Sequence, residues 1–182
     1  ATESPFADVT LSQVTKSEGK YVVLLFYPLD FTFVCPTELL AFSEKAAQFA
    51  SLNAQVYGVS VDSKHTHLAY LKTTREDGGL GGKLNYPLLS DLTKSVARSY
   101  GVLEEEEGVA LRGLFLIDPS GTVQHATVNN LGFGRSVDET LRSLQALQHH
   151  QTHGTVCPAN WAPGQNDLTP SADGIKAWLT QN

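Results

Sequence analysis

The feature that most constrains the fold is a continuous apolar run near the front of the chain. Residues 21–27 read YVVLLFY, a β-branched and aromatic stretch that lacks the alternating polar residues of a half-exposed strand. The run therefore predicts a strand that is buried on both faces, and Pro28 ends it. A helix is predicted to begin within residues 32–37, because apolar residues then recur at helical spacing. Those residues are Leu39, Phe42, Ala46 and Phe49.

The rest of the chain alternates between strand patterns and helix patterns. Strands are predicted at residues 55–61, 86–89, 109–117 and 122–128. Helices are predicted at residues 64–75, 93–100 and 137–147. This alternation indicates an α/β fold with a layered sheet. With 182 residues, one domain can bury about 70% of the surface that the unfolded chain exposes.

Charge and hydropathy exclude several classes of partner. The net charge is −6, and the 13 Lys and Arg residues form no dense cluster, so nucleic acid is not an expected partner. No apolar run approaches the roughly 18 residues that a membrane span needs, and we expect a soluble chain that binds no membrane. The N-terminus lacks the basic and apolar regions of a signal peptide. The chain begins at Ala1, which is compatible with removal of a leader.

The cysteines and histidines do not form a metal-binding pattern. The two cysteines, Cys35 and Cys157, are far apart and neither belongs to a CxxC pair. The histidines at positions 65 and 67 are two residues apart, and those at 149, 150 and 153 are predicted to lie on a solvated helix end. We therefore expect no zinc site and no other bound metal.

Cys35 is predicted to lie in the first turn of the helix that follows the buried strand. Unpaired backbone N–H groups and the positive end of the helix dipole stabilise a thiolate there, and the thiolate is the nucleophilic form of cysteine. The alternative is an inert cysteine that packs as a small hydrophobe. Thr32 offers a hydroxyl to the sulfur or to a substrate oxygen, or it caps the helix. Glu38 is placed to close a capping box.

Arg112 interrupts the apolar strand predicted at residues 109–117. A guanidinium inside such a strand costs free energy unless it is paired or points into a cleft. One interpretation is a residue at the sheet edge with a solvated head group. The other is a cation aimed at an anion such as a thiolate, because ligands of open α/β sheets lie at the carboxyl ends of strands.

Four segments of the chain, read together, resemble the typical 2-Cys peroxiredoxins. They are residues 26–38 (FYPLDFTFVCPTE), 109–121 (VALRGLFLIDPSG), 134–142 (GRSVDETLR) and 153–161 (HGTVCPANW). The resemblance runs from about Gly19 to about Gly164. It implies a thioredoxin-like fold with a central mixed sheet flanked by helices and a C-terminal arm. It also implies a thiol peroxidase that reduces hydrogen peroxide and organic hydroperoxides without metal, haem or flavin.

The same resemblance assigns roles around the first cysteine. It implies that Cys35 is the peroxidatic cysteine, which attacks the peroxide and becomes a sulfenic acid. Pro28 and Thr32 match the positions that shield the site and hydrogen-bond the peroxide. Arg112 matches the arginine that holds the thiolate and the substrate oxygens. Two further residues match polar positions that support the site, namely Glu38 and Arg135.

The resemblance also implies an assembly and a reductant. Cys157 matches the resolving cysteine, which attacks the sulfenic acid on a neighbouring subunit and forms an intersubunit disulfide. We expect a peroxidase domain at residues 1–148 and an arm carrying Cys157 at residues 149–182. A homodimer assembling into a decameric ring is expected, with thioredoxin or a similar dithiol protein as reductant. The expected location is the cytoplasm, or an organelle such as the mitochondrion if a leader has been removed.

Two other classes of function stay open at this point. One is a holdase chaperone or a redox-signalling assembly, since members of the family can form rings of dimers. The other is a secreted domain in which Cys35 and Cys157 form a structural disulfide within one chain.

Two departures from the family pattern concern the ends of the chain. Residues 78–81 read GGLG, a sequence that accompanies sensitivity to overoxidation, but the tail lacks the Tyr-Phe pair that completes that signature. We therefore predict intermediate sensitivity, with Trp178 packing in place of the missing pair. At the front, residues 1–10 are expected to form a shortened or divergent first strand.

Overall fold

The structure is a computed structural model that describes residues 5–181, and within these it forms two compact units. The first unit ends at Arg135 and the second begins at Ser136. The strands are β1 (Tyr21–Phe26), β2 (Ala54–Ser60), β3 (Leu88–Ser90), β4 (Leu103–Glu104), β5 (Val109–Ala110), β6 (Arg112–Ile117) and β7 (Val123–Asn129). The α-helices are α1 (Cys35–Glu44), α2 (Ala46–Ser51), α3 (Lys64–Lys72), α4 (Ser95–Ser99), α5 (Val137–His153) and α6 (Ala172–Gln181), and a short π-helix covers Gln13–Ser17.

A five-stranded mixed sheet in the order β3-β2-β1-β6-β7 forms the centre of the first unit. β1 runs parallel to β2 and antiparallel to β6, so it occupies the middle of the sheet. The predicted burial on both faces is confirmed, because every residue from Val22 to Phe26 is buried. The α/β fold predicted from the alternating patterns is confirmed as well.

Each face of β1 contributes to the core. Val22, Leu24 and Phe26 belong to one hydrophobic cluster, which also contains Phe115 and Ile117 of the antiparallel neighbour β6. The alternate residues Val23 and Leu25 point to the opposite face, and both are fully buried. The sheet continues from β1 away from β6 through β2 and β3. There α2 packs against β2, and α3 packs against β3. The carboxyl end of β1 therefore leaves a buried sheet and leads directly toward Cys35.

The prediction of one continuous strand over residues 109–117 is wrong, because the strand is interrupted at Leu111. The N–H of Leu111 donates to Val102 O (2.7 Å) and the N–H of Gly113 donates to Leu111 O (2.8 Å). Before the break, β5 pairs with β4 in a separate two-stranded ladder. Arg112 is therefore the first residue of β6 rather than the middle of a longer strand.

Other predicted boundaries also differ from the structure. The helix pattern from Leu39 to Phe49 is divided at Lys45 into α1 and α2. α3 ends at Lys72, where the prediction continued to residue 75, because Thr73 has extended backbone angles. Residues 5–10 form no strand, so the expected first strand is wrong there, and residues 1–4 lie outside the described residues.

The second unit contains α5 and α6 and a loop between them. α5 begins at a capping residue, because the side chain of Ser136 accepts a hydrogen bond from the N–H of Glu139 (3.1 Å). It ends at Gly154, which adopts a φ of +70°. In the loop, an isolated antiparallel bridge joins Val156 to Leu168. None of the described helices combines the length and the apolar composition that crossing a bilayer requires.

The central position of β1 predicts a large effect of truncating its side chains. We expect Leu25→Ala to lower the free energy of unfolding by about 2–5 kcal/mol, because Leu25 is fully buried and its truncation leaves a cavity. The matched control is Leu92→Ala, where the side chain is 63% exposed and the expected change is within about 0.5 kcal/mol. Urea unfolding of the reduced protein measures both. Equal effects at the two positions would contradict the placement of β1.

Candidate active site

Cys35 is the first residue of α1 and is completely buried. The helix starts there because Pro36 suits the first turn, where an N–H group would have no partner. The N-cap position belongs to Val34, and no side chain caps it. The prediction that Cys35 lies in the first helical turn is confirmed. The two capping roles considered from the sequence are wrong, since neither Thr32 nor Glu38 caps this helix.

Arg112 contacts the sulfur of Cys35 directly. Its Nη1 lies 3.3 Å from Cys35 Sγ and donates to Glu38 Oε2 at 2.7 Å, while its Nε donates to Leu131 O at 2.9 Å. Only 3% of Arg112 is exposed, so the solvated residue at a sheet edge is the wrong interpretation and the buried cation is the right one. The antiparallel register explains the contact. Leu25 pairs with Leu114, which places the start of β6 beside the carboxyl end of β1.

Glu38 binds two arginines instead of closing a capping box. The Nε of Arg135 donates to Glu38 Oε1 (2.7 Å), its Nη2 donates to Oε2 (3.0 Å), and its backbone N–H donates to Oε1 (2.8 Å). The Nη1 of Arg135 reaches Gly113 O (2.7 Å). Burial favours the neutral form of Glu38, but the hydrogen bonds and charge of Arg135, aided by Arg112, outweigh burial and lower the pKa of Glu38 below its ordinary value.

The charges of this cluster balance only with an anion at the sulfur. Two guanidinium groups, from Arg112 and Arg135, face one carboxylate, from Glu38. One positive charge is left without a counter-charge in a buried site, where an unpaired charge is costly. A thiolate at Cys35 supplies that counter-charge. The geometry therefore favours the nucleophilic form of the cysteine.

Pro28 and Thr32 lie on the segment that joins β1 to Cys35. Pro28 is buried two residues after the strand ends. The hydroxyl of Thr32 donates its proton to Leu29 O (2.8 Å), so this proton is not directed at the sulfur. The oxygen of Thr32 keeps its lone pairs, and it can accept a hydrogen bond from a substrate O–H.

Sequence reasoning missed a buried network that anchors this segment. The N–H of Asp30 donates to Asp62 Oδ2 (2.9 Å), and the hydroxyl of Tyr27 donates to Asp30 Oδ1 (2.7 Å). His67 donates through Nδ1 to Asp30 Oδ2 (2.7 Å) and through Nε2 to Leu89 O (3.2 Å). An imidazole that donates from both nitrogens is protonated. An aspartate in a loop and a histidine 37 residues later carry no local signal of pairing.

The charge state of His67 agrees with this geometry. Burial by itself lowers the pKa of His67, but the hydrogen bond and charge of Asp30 outweigh burial and raise the pKa above its ordinary value of 6.5. Ligand atoms of Asp30, Asp62 and His67 lie within 4.8 Å of one another, a spacing that a metal ion could use. Each of the three groups already bonds to protein atoms, so the cluster is explained by its hydrogen bonds.

Cys157 belongs to the second unit and has different surroundings. It is half-buried in the loop after α5, and its thiol lies 3.6 Å from Ala146 O. Burial, with the negative charge of Asp167, raises the pKa of Cys157 despite the opposing charge of Arg142. Cys157 is therefore a thiol at neutral pH. Both cysteines are free.

The histidines at the end of α5 do not simply decorate a solvated surface, as the sequence suggested. His149 pairs with Asp167 (Nε2 to Oδ2, 2.5 Å) and its ring lies 4.6 Å from the ring of Trp161. The hydroxyl of Thr155 donates to the same carboxylate oxygen (2.7 Å). These contacts tie the loop that carries Cys157 to the end of α5.

Comparison with known proteins gives concordant similarities over both units. The model of the AhpC/TSA family matches residues 1–126, and the model of the C-terminal domain of 1-Cys peroxiredoxin matches residues 146–181. The chain is 53% identical to peroxiredoxin-2 of Bos taurus over 180 residues, which are 99% of this chain and 88% of that protein. It is 54% identical to the chloroplastic 2-Cys peroxiredoxin BAS1 of Hordeum vulgare, covering 97% of this chain and 83% of that protein.

A solved structure is also similar. The reduced 2-Cys peroxiredoxin of Plasmodium vivax superposes with a TM-score of 0.86 at 51% identity, covering 88% of this chain and 82% of that one. The thioredoxin-like fold of these peroxiredoxins is the fold of this chain.

The charge cluster predicts the effect of neutralising Glu38. We expect Glu38→Gln to lower the free energy of unfolding by about 3–5 kcal/mol at pH 7, because two buried arginines lose their counter-charge. A carboxyl group whose pKa is lowered by folding stabilises the folded state at pH values above its ordinary pKa. This stability is lost as the pH falls through the pKa of the folded state. The deficit of the variant therefore shrinks in acid. Urea unfolding at a series of pH values measures it.

The control for Glu38→Gln is Glu105→Gln. Glu105 also pairs with an arginine, Arg98, but both side chains are more than half exposed. Because water and salt screen an exposed pair, its loss should leave the free energy of unfolding almost unchanged. A Glu38→Gln protein as stable as this control would overturn the role of the cluster.

His67 predicts a pH dependence of opposite sign. A raised pKa contributes stability that is complete below the ordinary value of 6.5 and is lost as the pH rises through the folded value. Thermal unfolding is measured at a series of pH values that rise from below 6.5. The loss of stability with rising pH should appear in the His65→Asn control, in which the exposed His65 is replaced. It should be absent in His67→Asn. Identical pH profiles in the two variants would contradict the pairing of His67 with Asp30.

Proposed function

This chain belongs to the AhpC/TSA family, among the 2-Cys peroxiredoxins, and we propose that it reduces hydrogen peroxide and organic hydroperoxides through Cys35. The observation that carries this proposal is the buried Arg112 guanidinium 3.3 Å from the sulfur, within a cluster that needs a thiolate for charge balance. A thiolate held in that way is a nucleophile.

In the first step the sulfur attacks one oxygen of the hydroperoxide. The S–O bond forms as the O–O bond breaks, sulfur loses two electrons, and Cys35 becomes a sulfenic acid. The other oxygen leaves as an alkoxide or hydroxide and takes up a proton to give an alcohol or water. Arg112 is placed to stabilise the negative charge as it moves from sulfur to oxygen.

The other residues of the site position these two. Glu38 fixes the orientation of Arg112, and Arg135 fixes Glu38 through three hydrogen bonds. Thr32 accepts a hydrogen bond from the peroxide O–H, because its own proton is committed to Leu29 O. Pro28 shields the sulfur from water, in keeping with its burial.

The second step uses the other cysteine. The sulfur of Cys157 of the partner subunit gives up its proton and attacks the sulfenic sulfur; an S–S bond forms as the S–O bond breaks, and the departing hydroxide takes up a proton and leaves as water. A dithiol protein, thioredoxin or similar, then returns two electrons and restores both thiols. Such a cycle needs a homodimer, and we propose that dimers assemble into a decameric ring. We place the peroxidase domain at residues 1–148 and the arm that delivers Cys157 at residues 149–182.

We propose that sulfur alone carries the electrons, so that no cofactor takes part. The proposed location is the cytoplasm, or an organelle such as the mitochondrion. A similar protein from Homo sapiens is named mitochondrial thioredoxin-dependent peroxide reductase. It is 55% identical to this chain, and the match covers 96% of this chain and 66% of that protein. That name supports both the electron donor and the organelle as candidates.

The test compares the wild type with Cys35→Ser and Cys157→Ser. After one equivalent of hydrogen peroxide, stopped-flow measurement should show rapid oxidation that is lost only in Cys35→Ser. Nonreducing gels should show disulfide-linked dimers only when both cysteines are present. Peroxide consumption that survives Cys35→Ser would refute the mechanism, whereas monomers with an internal disulfide would refute the role of the partner subunit. If the chain instead acts as a holdase chaperone, the Cys35→Ser variant would still protect client proteins.

A further inference from the structure

Tyr70 of α3 carries an unmet hydrogen-bonding group. Its side chain is fully buried, and its hydroxyl is, within residues 5–181, the one buried side-chain polar atom without a hydrogen-bond partner. Other buried tyrosines differ. The hydroxyl of Tyr27 donates to Asp30 Oδ1 (2.7 Å), and that of Tyr86 donates to Leu39 O (2.9 Å). A buried hydroxyl without a partner destabilises the arrangement that buries it.

Tyr70 lies against the segment that leads to Cys35. The ring of Tyr70 packs against the ring of Phe31, with their centroids 4.7 Å apart. Burial raises the pKa of Tyr70 most, and the negative charges of Asp30 and Cys35 raise it further, so the hydroxyl stays neutral near the site. Phe31 covers the ring with a backbone φ of +55°, which is costly for a residue other than glycine.

The segment is anchored on both sides of Phe31. Asp30 is held by Asp62 and by His67, as described above. Beyond Phe31, the buried Cys35 and Glu38 are held by Arg112 and Arg135, whereas Phe31 (46%) and Phe33 (94%), between the two anchors, are exposed. Opening at Phe31 therefore leaves the anchor at Asp30 in place, and release of Cys35 must also break the contact of its sulfur with Arg112.

The proposed reaction requires such an opening. Cys35 is completely buried, and a disulfide requires a sulfur–sulfur distance of about 2.05 Å. The sulfenic acid must therefore leave its buried position before Cys157 of the partner subunit can reach it. When Phe31 moves away, water reaches the hydroxyl of Tyr70 and supplies the missing hydrogen bonds. The cost of the unmet hydroxyl is thus present only in the closed arrangement.

We propose that Tyr70 is a positioning residue whose unbonded hydroxyl destabilises the closed arrangement and so speeds release of Cys35 for disulfide formation. This inference rests on the proposed peroxidase function. It also concerns the competing reaction of the closed form, in which a second hydroperoxide oxidises the sulfenic acid. That step adds one oxygen to sulfur, gives a sulfinic acid and releases water or an alcohol. Faster opening diverts the sulfenic acid from this reaction.

The experiment compares Tyr70→Phe with wild type and with Tyr86→Phe. Tyr70→Phe removes only the unmet hydroxyl, so we expect the closed arrangement to be more stable. Disulfide formation after the first oxidation should slow about tenfold, and the sulfinic fraction at high hydrogen peroxide should rise by a similar factor. The rate of the first oxidation should stay within about twofold of wild type. Stopped-flow fluorescence and mass spectrometry of Cys35 measure these quantities.

The control removes a hydroxyl that has a partner. Tyr86→Phe deletes the hydrogen bond to Leu39 O in α1, so it should not slow disulfide formation. A change in folding stability alone would not alter the partition between disulfide and sulfinic acid at an unchanged first rate. Disulfide formation in Tyr70→Phe at the wild-type rate, as expected if an internal water already meets the hydroxyl, would overturn the proposal. A faster rate would overturn it too, by showing that the hydroxyl stabilises the closed form.

Failure of the broader function gives a different result. If Cys35 is not the peroxide-reactive group, the wild type and Cys35→Ser consume hydrogen peroxide alike, and no sulfenic acid forms in either. If only the role of Tyr70 is wrong, both the wild type and Tyr70→Phe pass through the sulfenic acid and form the disulfide equally fast.

Discussion

The active site depends on one buried carboxylate held between two buried arginines. Glu38 accepts hydrogen bonds from Arg112 and from Arg135, and Arg112 also reaches Cys35 Sγ through the same Nη1 and Leu131 O through Nε. Two cations and one carboxylate leave a positive charge that a thiolate neutralises. The same contacts that hold the first turn of α1 to β6 thus also favour the reactive form of the sulfur.

The sheet makes this cluster possible. Because β6 is antiparallel to β1, its first residue lies beside the point where β1 ends and the segment toward Cys35 begins. The break at Leu111 matters for the same reason, since it starts β6 at Arg112 and separates it from the β4–β5 ladder. An arginine that would be misplaced inside a longer strand becomes a buried cation at the carboxyl end of a central strand.

Rigidity and freedom are distributed unevenly around the site. Asp30 is fixed by a protonated histidine and two further hydrogen bonds, which hold the start of the segment. Beyond it, Phe31 adopts a left-handed backbone conformation over a tyrosine whose hydroxyl is unmet. A site that must both bury its thiolate for attack and release it for disulfide formation benefits from this division, because the opening can be local.

Local patterns in the sequence determined the buried strand, a helix beginning within residues 32–37 and the α/β class, because apolar runs and helical spacing reflect burial of neighbouring residues. The motif around Cys35 also indicated the family. Tertiary structure alone decided what Glu38 and Asp30 do. Glu38 bonds residues 74 and 97 positions away, and Asp30 bonds a histidine 37 positions away. Sequence spacing gives a carboxylate a local role such as a cap, whereas its actual partner is whichever cation the folded sheet buries beside it.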